Sequence, residues 1–490
     1  MPNPRILEMT TGTPELLRTR LLTTEVEHHT GLSRKDSTRR QIGRHESAVV
    51  IEQFVAAHPL KTQDLLYPTN MMVATTPTHI VHHPSPGLTK LERKQYVREL
   101  QLESLLESLP PQKIAGFVTV AVFAGYAALF SLQHVIKTFF KIPDDDSRAS
   151  HEFSFAITSM YIWNLIFRIG HNFILYSFTP RIRALCGLGS MAVAMALLGI
   201  AVFHFEFRSI PLVAVAYAFG GVGIGVFETN YSVVLAGLGN KTKIYGISGI
   251  PVGIFLVIVP GFIAVASGMP VVYVYYSVLV MLAIGFVILL GFIEYPILDA
   301  LLSEDLEWEE PTEEKTLEQS AGTKSKNWAL KVASVGFVFT VNMLCVSAFS
   351  PGVLLYLYNT GSVEMASSMA MPTGYFFALF SSFGFVADVI SRRRIYEKKP
   401  ESHPIRYLVF TFIGTLIILS QTPLIAPIGT FFIFFANGSI YAQSCRWLDL
   451  QLDESVLVMA SSIFFFLGDC GSVMGAILIP FIRDAMAANP

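Results

Sequence analysis

The chain has 490 residues, of which 52% are hydrophobic and only 15% charged, against about 25% charged in ordinary soluble domains. Its 35 basic and 37 acidic residues leave a net charge of −2, which offers no electrostatic footprint for nucleic acid. Four separated cysteines (Cys186, Cys345, Cys445 and Cys470) without CxxC spacing set aside a disulfide framework and a zinc site, and a soluble enzyme or secreted domain with them.

Residues 1–110 read as a polar tail of mixed charge with no sustained period. Within it, Leu100, Leu102, Leu105, Leu106 and Leu109 fall among charges at mostly helical spacing. That spacing predicts an amphipathic helix near 91–109 lying on the membrane surface. From Lys113 onward eleven apolar stretches are long enough to cross a bilayer as helices: 113–140, 152–178, 182–204, 209–237, 243–267, 270–298, 328–358, 365–391, 404–421, 424–446 and 455–483. An acidic stretch, 299–327, containing EDLEWEE and TEEKTLEQ, separates the first six from the last five. The expected fold is all-α and polytopic, with a six-helix bundle over 113–298, a water-exposed cytosolic loop, and a five-helix bundle over 328–485.

With the N-terminus cytosolic, the inner loops hold Arg181, Arg183, Lys241, Lys243, Arg392, Arg393, Arg394, Lys398, Lys399, Arg406 and Arg446, while the outer loops hold only Lys141, Arg148 and Arg208. This bias predicts a cytosolic N-terminus and an extracellular or lumenal C-terminus. The host membrane is expected to be the plasma membrane or an endolysosomal or vacuolar one.

Ionisable and amide groups inside apolar stretches are costly and point to function. Gln133 and Lys137 share a helix face in the first stretch, with His134 beside them, and Asn164, Arg168 and His171 form one stripe in the second. Glu228, Asn230 and Tyr231 follow the small-residue run Gly220–Gly225 in the fourth. Asn342, Asp388, Asn437, Gln443 and Asp469 lie in later stretches. Asn342, Asn437 and Gln443 fit interhelical hydrogen bonding as well as solute contact. Arg168 and Glu228 need partners or a wet cavity, since a lone charge at that depth costs at least ~2.5 kcal/mol; they are expected to line one central polar cavity and to pair there. His134 and His171 are candidates for a proton-sensitive group, and a proton on Glu228 would make transport proton-coupled. Asp388 and Arg392 stand four apart at the cytosolic mouth, and with Arg393 they suit a gate or an anchor.

No Walker-type GxxxxGK[ST], HExxH or GxSxG occurs, so neither an ATP-driven pump nor a familiar hydrolase is indicated. No periodic voltage sensor or filter-like repeat suggests a channel. What remains is a secondary carrier: not an enzyme, without a cofactor, with the lipid bilayer and a small polar solute as partners.

Gly384-x-x-x-Asp388-x-x-x-Arg392-Arg393 resembles a signature of the major facilitator superfamily, which implies a two-bundle, alternating-access architecture. Within that group the chain resembles the equilibrative nucleoside transporters, which have eleven spans, a cytosolic N-terminus and a large loop between spans six and seven. Leu129–Phe140 is similar to their first-span signature, although Leu132 and Gln133 replace its Trp and Asn. Thr179–Arg183 with Gly187, Phe339-Thr340, Phe349-Ser350-Pro351-Gly352 and Asn437-Gly438 are similar to further family motifs. Asp388 and Arg392 match a D-x-x-x-R that the resemblance implies contacts the nucleoside. Glu228-Thr229-Asn230 stands where the family carries Gln-Gly-Ser. A second resemblance, to the battenin family of endolysosomal membrane proteins, rests on Gly225–Glu228, Ser248-Gly249 and Asn437–Gln443. The resemblances imply transport of a small polar solute, a nucleoside or nucleobase first and a generic solute with proton symport second. Gln133, His134, Asn164, Arg168, Glu228, Asn230, Tyr231, Asn342, Asp388, Arg392 and Gln443 are the candidate contacts, with Trp163 or Tyr231 against a flat base.

Overall fold

A computed structural model of the protein describes residues 111–142, 148–293, 328–353, 362–366, 369–397, 403–452 and 454–487. The tail 1–110, its surface helix near 91–109 and the acidic loop 299–327 lie outside the described residues. The first half comprises α1 (Ala115–Ser131), α2 (Gln133–Phe139), α3 (Arg148–Ile174), α4 (Pro180–Ala196, continued by a π-helical stretch Leu197–His204), α5 (Ile210–Gly237), α6 (Asn240–Leu256), α7 (Phe262–Ala266) and α8 (Val272–Gly291). The second half comprises α9 (Trp328–Ser347), a hairpin of β1 (Ser362–Ala366) and β2 (Met369–Pro372), α10 (Thr373–Tyr396), α11 (Leu408–Leu419), α12 (Ala426–Gln451) and α13 (Glu454–Ala487).

The helix starts follow local chemistry. Thr179 caps α4 by accepting from the Ile182 amide, with Pro180 in the first turn, and Ser209 caps α5 by accepting from Leu212. Side-chain oxygens there satisfy amides that have no partner within the helix. Between α5 and α6 the chain reverses at Gly239, whose φ of 90° suits a residue without Cβ. The tight turn brings Lys243 into the first turn of α6.

Seven helices among the described residues are long and apolar enough to cross a membrane, or eight when α1 and α2 count as one span bent by 51°. Their outer faces carry large apolar side chains with no protein cover: Phe155 is 70% exposed, Leu416 67% and Phe481 68%. A continuous apolar surface of this kind demands lipid, and the chain is an integral, multi-pass membrane protein. Of the remaining predicted spans, α11 is short, and α3 and α12 are diluted by the polar residues that build the site described below.

Three expectations are corrected. The stretch 113–140 is no single helix, because it bends at Leu132 and places Gln133 and His134 beyond the bend. The seventh stretch is not α-helical throughout. It leaves α-geometry after Ser347, and Ser350 is extended (φ −142°, ψ 98°), since the ring of Pro351 disfavours the helical region for the residue before it. The eighth stretch begins as β-structure, with Val363 opposite Met371 and Glu364 opposite Ala370; the helix starts only at Thr373. Buried Val363 joins Phe376, Phe380 and Ile418 in a small apolar cluster, which explains why this segment reads as part of a span.

With no hydrophobic drive between helices in lipid, close approach depends on small residues. A Cβ on Gly225 would stand 2.8 Å from the Asn164 carbonyl oxygen, and one on Gly438 would stand 2.5 Å from Asp388 Oδ1. These glycines let α5 settle on α3 and α12 on α10, which sets the spacing of the charges between them.

Candidate functional site

Arg168 is the centre of the charged network. It sits on α3 with its side chain 2% exposed, and its Nη2 lies 2.9 Å from Glu228 Oε2 on α5. Its Nε lies 2.8 Å from Asp469 Oδ2 on α13, and Nη1 donates to the Ile224 carbonyl at 3.3 Å. The guanidinium stands 5.4 Å from the centre of the Phe465 ring. One planar fork thus serves two carboxylates in different halves of the chain, a geometry that a lysine ammonium cannot reproduce. The pairing meets the need for partners that charges at membrane depth impose.

The network continues through a phenol. The Tyr441 hydroxyl donates to Glu228 Oε1 at 3.1 Å, and the Arg392 guanidinium lies 4.1 Å from the Tyr441 ring centre. Arg392 holds Asp388 with two bonds, Nε to Oδ1 at 2.7 Å and Nη2 to Oδ2 at 3.2 Å. Its Nη1 is buried without a hydrogen-bond partner among the described residues. Asp469, Arg168, Glu228, Tyr441, Arg392 and Asp388 therefore form one deep row.

A second, mouth row lies toward the helix ends that carry Arg393 and Arg394. Lys243 Nζ contacts both Asp449 oxygens, at 2.7 and 2.6 Å, and so ties α6 to α12. Tyr396 donates its hydroxyl to Asp449 Oδ2 at 3.2 Å and to Asn240 Oδ1 at 3.5 Å, while Arg446 donates Nη1 to the Tyr396 carbonyl. Nearby, Asn172 of α3 donates to Ser462 Oγ of α13 at 2.8 Å, and Arg183 donates to the Phe178 and Tyr176 carbonyls. Four cations counted as loop charges in the sequence (Arg183, Lys243, Arg392 and Arg446) are thus buried and partnered.

The other sequence candidates have different surroundings. Asn164 is buried one turn from Arg168, with Oδ1 lacking a partner among the described residues. Asn230 donates to the Val226 carbonyl of its own helix at 2.7 Å. Tyr231 donates to the Ala115 carbonyl at 2.7 Å and stacks on Phe227, while Trp163 is 40% exposed. The aromatic rings beside the charges are instead Tyr441 and Phe465. Asn342 donates to Asn437 Oδ1 at 2.9 Å and accepts from Thr411 at 2.8 Å, an arrangement internal to the second half. Gln443 is buried and accepts from Arg406 at 3.5 Å. Gln133 is half-buried and His134 exposed on α2. Arg393 is 63% exposed and, among the described residues, pairs with Glu397.

Sequence reasoning did not rank Asp469, although an acid inside an apolar helix was its signal. It missed Tyr441, Tyr396 and the Lys243–Asp449 pair. Asp449 lies on α12 beyond the predicted limit of 446, and phenols carry no polar signal in an aromatic-rich chain. No group of three His, Cys, Asp or Glu side chains suited to a metal ion occurs among the described residues.

A helical chain in two halves, with apolar outer faces and charges gathered between the halves, has a fold like that of the major facilitator superfamily. Among solved structures the chain is similar to a proton:xylose symporter of that superfamily bound to 6-bromo-6-deoxy-D-glucose, with a TM-score of 0.57 at 13% identity over 76% of this chain and 88% of that one. It is also similar to a D-xylose-proton symporter, with a TM-score of 0.53 at 14% identity over 75% of this chain and 89% of that one. At such identities the likeness is one of fold. No family model and no curated protein matches the sequence.

Proposed function

We propose that the chain is an ATP-independent carrier that moves a small polar solute across its membrane by alternating access, with coupling to protons. The observation that carries this reading is the Arg168–Asp469 ion pair between the two halves. Charges desolvated at membrane depth are retained where they contact solute, ions or a moving interface, and here they sit on the interface of a fold whose halves rock. The mouth row adds a second ionic tie between halves, at the helix ends that the cation bias puts in the cytosol. The arrangement is the form closed to the cytosol, and opening toward it requires Lys243 to leave Asp449.

For the solute, the favoured class is a nucleoside or nucleobase, on the strength of the family resemblance at Asp388 and Arg392. Ribose hydroxyls would exchange hydrogen bonds with Asp388 and with the unpartnered Nη1 of Arg392, and a flat base would lie against Tyr441 or Phe465. A second reading, a sugar-like solute carried with a proton, is supported by the likeness to xylose:proton symporters. Radiolabelled uptake in transporter-null cells separates them. The nucleoside reading requires uridine or adenosine uptake that is lost in Asp388→Ala at unchanged surface expression. Uptake of D-xylose alone would replace it with the second reading.

A further inference from the structure

The deep row holds one negative charge in excess. Its three carboxylates (Asp469, Glu228 and Asp388) face two guanidiniums (Arg168 and Arg392). Arg392 and Asp388 neutralise each other, so two acids share Arg168. The extra cation of the mouth row, Arg446, lies on α12 beyond Tyr441, about 7.5 Å further along the helix axis, and donates to the Tyr396 carbonyl. An uncompensated negative charge at membrane depth is expensive unless a positive one joins it.

The place left for that positive charge is at Asp469. Glu228 has two donors, Arg168 Nη2 and the Tyr441 hydroxyl. Asp469 accepts from Arg168 Nε on Oδ2, its Oδ1 has no donor among the described residues, and its side chain is 21% exposed. A second orphan atom has the same polarity. Asn164, 5% exposed, presents an Oδ1 without a partner among the described residues. That oxygen lies in the crevice between α3 and α5, 3.1 Å from where a Cβ on Gly225 would stand, and Arg168 Nη1 reaches into the same crevice to the Ile224 carbonyl. Both orphans are acceptors that want a donor. The walls are aromatic. The Tyr126 phenol of α1 is within electrostatic reach of Asp469, Glu228 and the Tyr161 phenol of α3, and both tyrosines are half-buried. Phe465 stands one turn before Asp469 on α13, with its ring 5.6 Å from that of Tyr441.

We infer that the solute carries a positive charge spread over a flat ring, and that this ring lies beside Asp469 between the Tyr126 side of the first half and Phe465 of the second. The inference deepens the carrier reading and rests on it. Within the nucleoside class it favours those with a cationic base, of which N1-methyladenosine is one, over neutral ones. The charge of such a ring is attracted to Asp469 Oδ1 and to the faces of the aromatic side chains. Its exocyclic N–H groups supply the donors that Asp469 Oδ1 and Asn164 Oδ1 lack. A ring cation is weakly hydrated for its charge, as a guanidinium is, so leaving water costs it less than it costs a compact ammonium. A neutral base of the same shape stacks on the same rings but leaves the row uncompensated. Stacking is therefore common to both, and Asp469 discriminates between them by charge.

The test is isothermal titration calorimetry of the full chain in lipid nanodiscs, with two matched pairs of probes at neutral pH. Each pair is a neutral ring and its N-methylated cation: adenosine with N1-methyladenosine, and nicotinamide with N1-methylnicotinamide. The cation of a pair is expected to bind about tenfold tighter or more than its neutral partner. Asp469→Asn is expected to bring the cations down to the affinity of the neutral rings, and Asp469→Glu to retain the preference. Where Asp469→Asn does not fold, Tyr126→Leu decides: it is expected to cost the cations more than the neutral rings, and an equal loss overturns the inference. Cations that bind no better than their neutral partners in the parent protein also overturn it, and leave the nucleoside reading standing where adenosine binds. A preference that survives Asp469→Asn and is lost in Glu228→Gln overturns the assignment to Asp469. A preference within the nicotinamide pair, with no binding of either nucleoside, supports the charge inference and counts against the nucleoside reading. Binding of D-xylose and of none of the four rings overturns both.

Discussion

The deep row and the mouth row both join the two halves through an ion pair, yet they are built to different rules. In the mouth row one lysine meets one aspartate, and a phenol adds a further donor to the same carboxylate. The charges of that pair cancel, and the acid has a second donor. In the deep row one arginine serves two acids, and the acid in the second half has a single donor among the described residues. A balanced pair makes a latch, whose strength is fixed by geometry. An unbalanced one leaves two acids to share a single guanidinium.

The comparison is broken most severely by removing its shared cation. Arg168→Met strands Glu228 and Asp469, and losing one partner of a buried pair costs about 3–5 kcal/mol. The thermal midpoint of the purified protein in detergent is expected to fall further than for any other single change discussed here. The triple variant Arg168→Met/Glu228→Gln/Asp469→Asn should recover most of the loss, because it strands no charge. If the triple variant is no better than the single one, the cost lies in packing and not in electrostatics.

A smaller effect is expected in the mouth row. Lys243→Met leaves Asp449 with its Tyr396 bond only, a loss of about 1.5–3 kcal/mol for a charge-assisted contact. Cys445, 3% exposed and one turn from Asp449 on α12, reports on it: its maleimide labelling should speed up about tenfold or more. Unchanged labelling would mean that Lys243 does not hold the mouth shut.

Tyr441→Phe sharpens the contrast further, since it deletes the second donor to Glu228 and keeps the ring under Arg392. The hydroxyl is worth about 1–2 kcal/mol. Its loss should lower the thermal midpoint by less than Lys243→Met does. The smallest effect belongs to Arg393→Ala. That exposed pair with Glu397 contributes about 0.3–0.5 kcal/mol, and uptake and thermal midpoint should both stay within error. A clear loss of uptake would restore Arg393 to the gate.

Much of the fold was legible because apolar runs report the bilayer directly, whatever packs against them. The exceptions have local causes. Pro351 signalled the break at Ser350, but the surrounding apolar residues outweighed it, and the 362–372 hairpin is apolar enough to pass for helix. The site was legible where a full charge interrupts an apolar run, as at Arg168, Glu228 and Asp388. The pairings of Arg168 with Glu228 and of Asp388 with Arg392 were legible too, but the tie between halves was not, because Arg168 and Asp469 lie 301 positions apart and no helical spacing relates them. Lys243 and Arg446 show the converse limit. Near a helix end a cation looks like a topology signal, and only tertiary packing reveals that it is buried.

The first helix of each half is interrupted at the end remote from the mouth row, α1 by the 51° bend at Leu132 and α9 by the extended residue before Pro351. A rod jointed near its tip transmits little torque past the joint. Helix α2 can therefore change its angle while the trunk of α1, packed beside the helices that carry the ionic rows, stays in register. In the proposed carrier, sealing one side and unsealing the other would then be separable events.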